Sequence, residues 1–308
     1  MNKYTATAFT GILLFTALII SMAWLTDKPA ALPAKKKIVF IAGGCSHGPG
    51  EHEHYAGSAL LADQLNKQAG NLVDAVVYKG WPADSTILND AASIVLYMDG
   101  GEGHGALPHL AYLDKLMKKG VGLACLHYAV EVPKDTGGVE FKNWIGGYFE
   151  VNWSVNPHWA ASYSSLPKHP VTNGVKPFTI KDEWYYHMRF RDNMQGVTPI
   201  LSAVPPASSL DREYGPHSNN EWVSKEVAAK KPQVMCWVAE RPDGGRGFGF
   251  TGGHQHTNWA NENFRKVVLN GIIWTAKVPV PAAGIPTPAL SDAALQKNLD
   301  QKPCSRFR

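Results

Sequence analysis

The sequence predicts an α/β protein, a three-layer sandwich in which helices cover both faces of a mostly parallel sheet. Two observations indicate this fold class. Short, continuous apolar runs alternate with helical patterns along the first half of the chain, which is typical of β-α-β units. Loops rich in glycine, histidine and carboxylates follow several of these runs directly, at strand ends where open α/β sheets bind ligands.

The period of the apolar residues predicts the elements in chain order. They are a strand at 37–42, a helix at 55–69, strands at 73–78 and 93–98, a helix at 108–118 and a strand at 121–126. A stretch rich in Trp, Tyr and Pro, without a regular period, follows up to about residue 191. Strand-like runs then lie at 197–205, 233–240 and 245–253, and an amphipathic helix at 261–275 completes the pattern.

Composition and length set the organisation of the protein. With 308 residues, 44% of them apolar and 18% charged, the chain can bury a sizeable core. The 30 basic and 26 acidic residues form no basic cluster beyond Lys35, Lys36 and Lys37, so we expect no nucleic-acid partner. We expect one functional domain over 35–277 and a proline-rich, extended C-terminal tail over 278–308.

Residues 1–34 resemble a secretory signal peptide. Lys3 precedes an uncharged stretch from Thr5 to Thr26, and small residues such as Ala30 and Ala34 follow it. An uncleaved N-terminal anchor is the alternative, because the stretch approaches the ~20 residues that span a bilayer. Both interpretations predict a periplasmic or secreted protein, which contacts a membrane only through this segment and only if the segment is uncleaved.

The four cysteines favour neither a disulfide scaffold nor a zinc-thiolate site. They show no C-x-x-C spacing, and two of them lie inside strand-like apolar runs. The four positions are Cys45, Cys125, Cys236 and Cys304.

His127 stands where a predicted strand meets a turn. In GLACLHYAV, residues 122–130, the small residues Cys125 and Ala129 lie two positions to either side of it. This spacing is typical of a strained strand-to-helix elbow that projects its central side chain into a cleft. An elbow centred on Cys125 would have Leu123 and His127 as flanks, which the turn would not accept, so a cysteine-thioester mechanism is disfavoured. We predict a functional His127; a histidine that only caps the strand is the alternative.

Two more histidines follow the last predicted strand. GFTGGHQHTNW, residues 249–259, places His254 and His256 on one side of an extended segment, which suits two metal ligands or one ligand and one substrate contact. We predict that they and His127 bind a divalent metal. Imidazole and carboxylate ligands suit zinc, manganese or iron. Solvated loop histidines are the alternative.

Carboxylates beside aromatic residues provide further candidates. In DEWYYH, residues 182–187, Glu183 is a candidate general base or metal ligand, and Tyr185 offers an aromatic face to a sugar. Trp259, close in sequence to the histidine pair, is a further candidate substrate contact.

Two glycine-rich loops complete the candidate cleft. In MDGGEGHGALPH, residues 98–109, Glu102 and His104 are candidate contacts at the cleft edge, and the loop carries neither of the glycine motifs that bind nucleotides, so we expect no nucleotide cofactor. In the first loop we favour His47, and we expect the EHEH stretch at 51–54 to be a solvated helix start.

These motifs, in this order, resemble the ThuA-like (trehalose utilisation) family, whose flavodoxin-like fold is similar to that of the class I glutamine amidotransferases. The resemblance extends from about Lys37 to Ala276. It rests on IAGGCSHGPGEHEHY, GVGLACLHYAVEVP, FKNWIGGYF, HPVTNGVKPFTIKDEWYY and GRGFGFTGGHQHTNWANENFRKVVLNGIIWTA.

The resemblance implies a role in carbohydrate catabolism, on 3-keto-glycosides supplied by a sugar oxidoreductase. It places His127 at the position of the amidotransferase cysteine nucleophile and His254 near that of its catalytic histidine, so it implies no glutaminase activity. In YFEVNWSVNPHW, Asn152 stands where similar sequences carry histidine, and His158 is a candidate substrate contact.

Two hypotheses follow. In the first, an exported enzyme with His127, Glu183 and His254 as catalytic residues removes a proton next to the keto group of a sugar, while a metal or an imidazolium stabilises the enediolate. Elimination, hydration, isomerisation or hydrolysis would follow. In the second, a non-catalytic module binds carbohydrate by aromatic stacking. The residues that would stack are Trp153, Trp159, Tyr185, Tyr186 and Trp259.

Overall fold

A seven-stranded sheet is the centre of the computed structural model, which describes Met1 and residues 34–304. The strands are β1 (Lys36–Ala42), β2 (Val73–Lys79), β3 (Ser93–Tyr97), β4 (Gly122–Leu126), β5 (Gly147–Tyr148), β6 (His158–Tyr163), β7 (Phe178–Glu183), β8 (Arg189–Phe190), β9 (Val197–Ala203), β10 (Gln233–Glu240) and β11 (Arg246–Phe250). The helices are α1 (His54–Ala69), α2 (Leu110–Lys118), α3 (Gly138–Ile145), α4 (Glu221–Ala228), α5 (Glu262–Thr275) and α6 (Asp292–Gln296).

The order of the main sheet brings the ends of four strands to one edge. The order is β2-β1-β3-β4-β11-β10-β9, and β10 is the one strand of this sheet that runs in the opposite direction. The carboxyl ends of β1, β3, β4 and β11 are therefore neighbours. The loops that follow these four strands lie together there.

Apolar residues on both faces of the strands explain why the strand runs are continuously hydrophobic. In β1, Phe40 packs into the core that contains α1 and α5, whereas Val39 and Ile41 pack into the core on the other face with α2 and α3. Side chains alternate across a strand, so a strand with helices on both sides must be apolar at every position. The three-layer prediction is confirmed.

The element bounds differ from the predicted ones by two residues or fewer at most ends. The region without a regular period, 127–191, contains helix α3 and two antiparallel pairs, β5–β8 and β6–β7. Strands β5 and β8 have two residues each, too few to show a period, and the six residues of β6 and of β7 do not alternate strictly between apolar and polar. The second pair is relevant to function because β7 ends at Glu183.

The C-terminal segment differs from the prediction of an extended tail. Ile285 and Leu295 are buried in the core that contains α1 and α5, and α6 forms one short helix. A disulfide joins Cys304 to Cys45, directly after β1. The prolines interrupt regular structure, but the apolar side chains between them still pack.

Over residues 34–304, no helix combines the length and the apolar character needed to cross a membrane. The predicted signal peptide or anchor at 1–34 lies almost entirely outside the described residues.

Candidate metal centre

Each of the four neighbouring strand ends contributes to one cluster of polar side chains. His52 lies in the loop after β1, Asp99 follows β3, His127 follows β4 and His254 follows β11. Glu183, the last residue of β7, reaches the cluster from the small antiparallel pair. The parallel sheet thus brings together residues that are distant in sequence.

His127 has the elbow conformation predicted from its small neighbours. Its φ is +54°, in the left-handed region, and it begins a short 3₁₀ helix that runs to Val130. Cys125 and Ala129 are completely buried, which leaves no room for larger flanking side chains. The turn directs the imidazole into the cluster, where Nδ1 lies 2.8 Å from the carbonyl oxygen of Thr251.

Three imidazoles and one carboxylate converge on a single point. His52 Nε2 lies 3.1 Å from His127 Nε2 and 3.0 Å from His254 Nδ1. Glu183 Oε2 lies 3.0 Å from His254 Nδ1 and 3.4 Å from His127 Nε2. All four side chains are buried, and their four ligand atoms lie within 4.8 Å of one another.

The hydrogen-bond partners of Nδ1 determine the tautomers of His52 and His127. His52 Nδ1 lies 2.8 Å from Asp99 Oδ1, and His127 Nδ1 faces the Thr251 carbonyl. A carboxylate and a carbonyl only accept, so both Nδ1 atoms carry hydrogen and both Nε2 atoms present lone pairs. These lone pairs face each other across 3.1 Å. Such an arrangement is stabilised by a cation between them.

The pKa shifts of the cluster favour a neutral His52 beside an ionised Glu183 and a His254 that holds its proton more tightly. Burial lowers the pKa of His52 to about 2, although its hydrogen bond to Asp99 acts in the opposite direction. For His254, burial also acts to lower the pKa, but the hydrogen bond to Glu183 and the charge of that carboxylate outweigh it and raise the pKa. Burial acts to raise the pKa of Glu183, yet the neighbouring His127 and His254 hold it well below its usual range.

The loop that carries His254 is fixed by a buried carboxylate. Asp182 accepts hydrogen bonds from the backbone N–H groups of Gly253 (2.7 Å), His254 (3.1 Å) and Gln255 (3.3 Å). The hydroxyl of Tyr97 donates to the carbonyl of Gly253, whose φ is +111°. These bonds hold the His254 ring against Glu183.

Two half-exposed histidines form the opening of the cluster. The His47 ring stacks on His52 at 3.5 Å between centroids, and His158 contacts His254 edge-on at 4.8 Å. Their side chains are 40% and 48% exposed. Burial lowers the pKa of both, so both are mainly neutral at pH 7. Tyr185, another predicted substrate contact, is buried beside the cluster, and its hydroxyl lies 3.3 Å from His127 Nε2.

The structure does not bring four predicted residues to the cluster. Glu102 is exposed in the loop after β3, and His104 is buried with Nε2 against the Ala129 carbonyl at 3.2 Å. The 3₁₀ helix that begins at His256 turns that ring away from His254, and its Nε2 meets the Leu295 carbonyl at 3.0 Å. Trp259 is fully buried in the core.

The expectation of a solvated EHEH stretch is wrong. His52, Glu53 and His54 are all buried, and His52 becomes a central member of the cluster. A signal was present, since two histidines directly after a glycine-rich strand end resemble the GGHQH pattern. Their alternation with glutamates instead favours a solvated stretch. The side chains that surround them in the fold are distant in sequence, so no neighbouring residue indicates burial.

A second pair, formed by a buried carboxylate and a partly exposed imidazole, went unrecognised in the sequence. Glu131 lies 3.0 Å from His217 Nε2, although 86 residues separate them. Burial raises the pKa of Glu131, and its hydrogen bond raises that of His217. His217 stacks on Phe149, which in turn contacts Tyr185. No local pattern marks either residue.

The aromatic residues expected to stack on sugar belong mostly to the core. Trp153 is partly exposed, whereas the other four are buried. These four are Trp159, Tyr185, Tyr186 and Trp259. A buried ring cannot present its face to a ligand, so the structure disfavours a carbohydrate-binding module built on them.

Solved structures similar to this chain include two ThuA-like proteins. One from Bacteroides uniformis ATCC 8492 has a TM-score of 0.55 and 16% identity, and the match covers 80% of this chain and 93% of that chain. One from Parabacteroides merdae ATCC 43184 has a TM-score of 0.50 and 14% identity, with 79% and 90% covered. These likenesses confirm the predicted fold class.

The family is shown by the sequence itself. No curated protein matches the chain. The family model for ThuA, described as trehalose utilisation, matches residues 46–275, which include every member of the cluster. The chain therefore belongs to the ThuA (trehalose utilisation) family, a carbohydrate-related family.

Proposed function

We propose that the protein is an exported, metal-dependent enzyme that acts on an oxidised (3-keto) glycoside. The observation that supports it most strongly is the convergence of His52, His127, His254 and Glu183. Ligands at 2.0–2.1 Å from a tetrahedral zinc ion lie about 3.4 Å apart. Four of the distances between these ligand atoms are 3.0–3.4 Å. The cluster therefore has the size of a metal site.

The outer contacts of the three imidazoles support the same assignment. Metal-bound histidines commonly direct their second nitrogen to a carboxylate or a backbone carbonyl. Here His52 faces Asp99, His127 faces the Thr251 carbonyl, and His254 Nε2 lies 3.4 Å from Glu51. A divalent ion bound here would polarise a keto oxygen as a Lewis acid.

The residues at the opening are suited to proton transfer. A keto group acidifies the C–H next to it, and His158 is a neutral, half-exposed imidazole. Its Nε2 lies 3.8 Å from Glu183 Oε1, which would stabilise the imidazolium formed when His158 takes the proton. Elimination or isomerisation of the sugar then follows. His47 is placed to contact a hydroxyl on the other side of the opening.

The location and the supply of the substrate belong to the same proposal. The Cys45–Cys304 disulfide supports an exported protein, because disulfides persist in oxidising compartments. A 3-keto-glycoside is formed by oxidation of a sugar hydroxyl, so an oxidoreductase must act before this enzyme.

Elemental analysis of the purified full chain, before and after dialysis against a chelator, tests the metal site. We expect about one divalent ion per chain, and its removal by chelation should abolish turnover of 3-keto-glycosides. His127→Asn, which tolerates the left-handed backbone, should contain no ion. His109→Asn, which changes a histidine stacked on Trp81 away from the cluster, is the matched control. Wild-type protein that purifies and stays metal-free, or full metal content in His127→Asn, would contradict the proposal.

A further inference from the structure

The loop between β1 and α1 holds His52 in a backbone conformation that it cannot maintain alone. His47 and His52 have φ values of +56° and +45°, and Gly50 lies between them at +78°. Residues other than glycine adopt such angles at an energetic cost and persist there where the surrounding structure determines them. The residues that fix this loop therefore also fix a ligand of the proposed metal site.

The C-terminal segment 300–304 contacts this loop on both sides of His52. Lys302 Nζ donates to the carbonyl of Gly48 at 2.9 Å and to the carbonyl of Glu51. It also lies 3.3 Å from the carboxylate of Glu53. The backbone N–H of Asp300 donates to the same carboxylate at 2.7 Å. The disulfide from Cys304 ends at Cys45, where the loop begins.

The peptide bond between Glu51 and His52 is held at both of its polar atoms. Lys302 binds its carbonyl oxygen, and its N–H donates to the carbonyl of His254 at 3.1 Å. Rotation of this peptide would move the His52 ring. Lys302 therefore acts on the position of His52 through the peptide bond that precedes it.

The burial of the lysine argues for a positioning role. The side chains of Lys302 and Glu53 are each 1% exposed. A buried ion pair contributes little net stability, because the loss of hydration offsets the attraction between the charges. It does impose a defined geometry, since leaving either charge without its partner is costly. The contacts that Lys302 makes are concentrated on the loop of His52.

We propose that residues 300–304 form a strap that positions His52 for metal binding, with Lys302 as the positioning residue and the Cys45–Cys304 disulfide as its anchor. The proposal rests on the metal site described under the proposed function. Without the strap, His52 leaves its place and three ligands remain. The loss of a residue that orients a ligand typically lowers metal affinity about 10–100-fold.

Zinc affinity, measured by competition with a chromophoric chelator on the full chain, tests the strap. Lys302→Met combined with Glu53→Gln removes both buried charges together, so no charge is left without a partner. Cys45→Ser combined with Cys304→Ser releases the anchor. Lys297→Gln, which changes an exposed lysine three residues before the strap, is the matched control. We expect zinc binding about 10–100-fold weaker in both double variants and unchanged in the control.

Thermal unfolding of the metal-free proteins separates positioning from stability. A merely structural role would lower the melting temperature and leave the zinc affinity of the folded protein unchanged, and that result would overturn the strap. If one double variant fails to fold, the other decides. If the wild type binds zinc and a folded double variant binds it equally well, the strap is refuted and the metal site is not. Wild-type protein without zinc affinity refutes the metal site and the strap with it.

Discussion

A single carboxylate oxygen of Asp99 contacts side chains of the first loop and of the start of α1. Its Oδ1 lies 2.8 Å from His52 Nδ1 and 3.5 Å from His54 Nε2, and it accepts a hydrogen bond from the Ser46 hydroxyl at 3.0 Å. Burial acts to raise the pKa of Asp99, but the hydrogen bond from His52 and the charge of His54 hold it well below its usual range. The group is therefore ionised at neutral pH and fixes which nitrogen of His52 is free to bind a metal.

Asp99→Asn should lower zinc affinity about 10–100-fold, because the side-chain amide no longer provides the charge that orients His52. Zinc competition with a chelator measures this effect. Asp90→Asn, which changes an exposed carboxylate that pairs with Lys37, is the control and should bind zinc like the wild type. Equal affinity in Asp99→Asn would show that the other contacts of His52 are sufficient.

Single residues differ in how far the sequence predicts them. The elbow at His127 is local, since it requires only a strand, two small flanks and one turn, and all of these can be read from neighbouring positions. His52 depends on His254, 202 residues away, and on Asp99. Contacts of that kind arise from the strand order, and no local pattern contains them.

Among the elements, the short pair β5–β8 is stabilised by a buried ionic contact. Glu150, which follows β5, receives two hydrogen bonds from Arg189 of β8, at 2.7 and 3.0 Å, and one from the Tyr148 hydroxyl at 2.6 Å. Burial acts to raise the pKa of Glu150, but the bonds from Arg189 and Tyr148 lower it below its usual value. Two residues of strand would not hold this position without such a contact.

Glu150→Gln should therefore destabilise the protein in a pH-dependent way. A carboxylate with a lowered pKa in the folded state stabilises that state above the unfolded-state pKa of about 4.3, and this contribution disappears as the pH falls through the folded-state value. We expect the free energy of unfolding of the variant to lie about 1.5–3 kcal/mol below wild type at pH 7. The two should converge as the pH falls below the folded-state pKa of Glu150.

Urea unfolding at several pH values measures this difference. Glu221→Gln, which removes an exposed pair with Lys225 inside α4, is the control and should change little at any pH. A constant difference between Glu150→Gln and wild type over the whole pH range would indicate lost packing instead of lost charge.

Elements with both faces buried were the most predictable. Strands β1, β3 and β4 lie inside the sheet and are buried on both faces, so each of them requires an unbroken apolar run in the sequence. The C-terminal segment was less predictable, because only isolated apolar residues such as Ile285 and Leu295 are buried. Their docking surface includes helix α1, which is far away in the chain.

For the whole molecule, the disulfide joins the beginning of the described fold to its end. Cys45 and Cys304 are separated by 259 residues, whereas Cys125 and Cys236 are free and buried. Burial raises the pKa of both free thiols, which makes them poor nucleophiles at neutral pH. The four cysteines therefore fall into two chemically distinct pairs.

Removal of the disulfide by Cys45→Ser with Cys304→Ser should lower the free energy of unfolding of the metal-free protein by about 2–5 kcal/mol, because the unfolded chain gains freedom. Guanidinium unfolding measures this change. Thiol titration of the wild type provides the control. We expect no rapid reaction in the folded protein, reaction of Cys125 and Cys236 alone after unfolding, and reaction of all four cysteines only after reduction. Four reactive thiols without reductant would show that the bridge does not form.

The contact between Lys302 and the first loop has a consequence for the order of events during biosynthesis. The loop with His52 is made early and receives Glu183 and His254 as the chain grows. It meets Lys302 last, since 254 positions separate Lys302 from Gly48 of the loop. A nascent chain holds most of the ligands long before the last contact exists. If the strap positions His52 as proposed, tight metal binding is a late event, and a translation product that stops short of Lys302 would bind the ion about 10–100-fold more weakly.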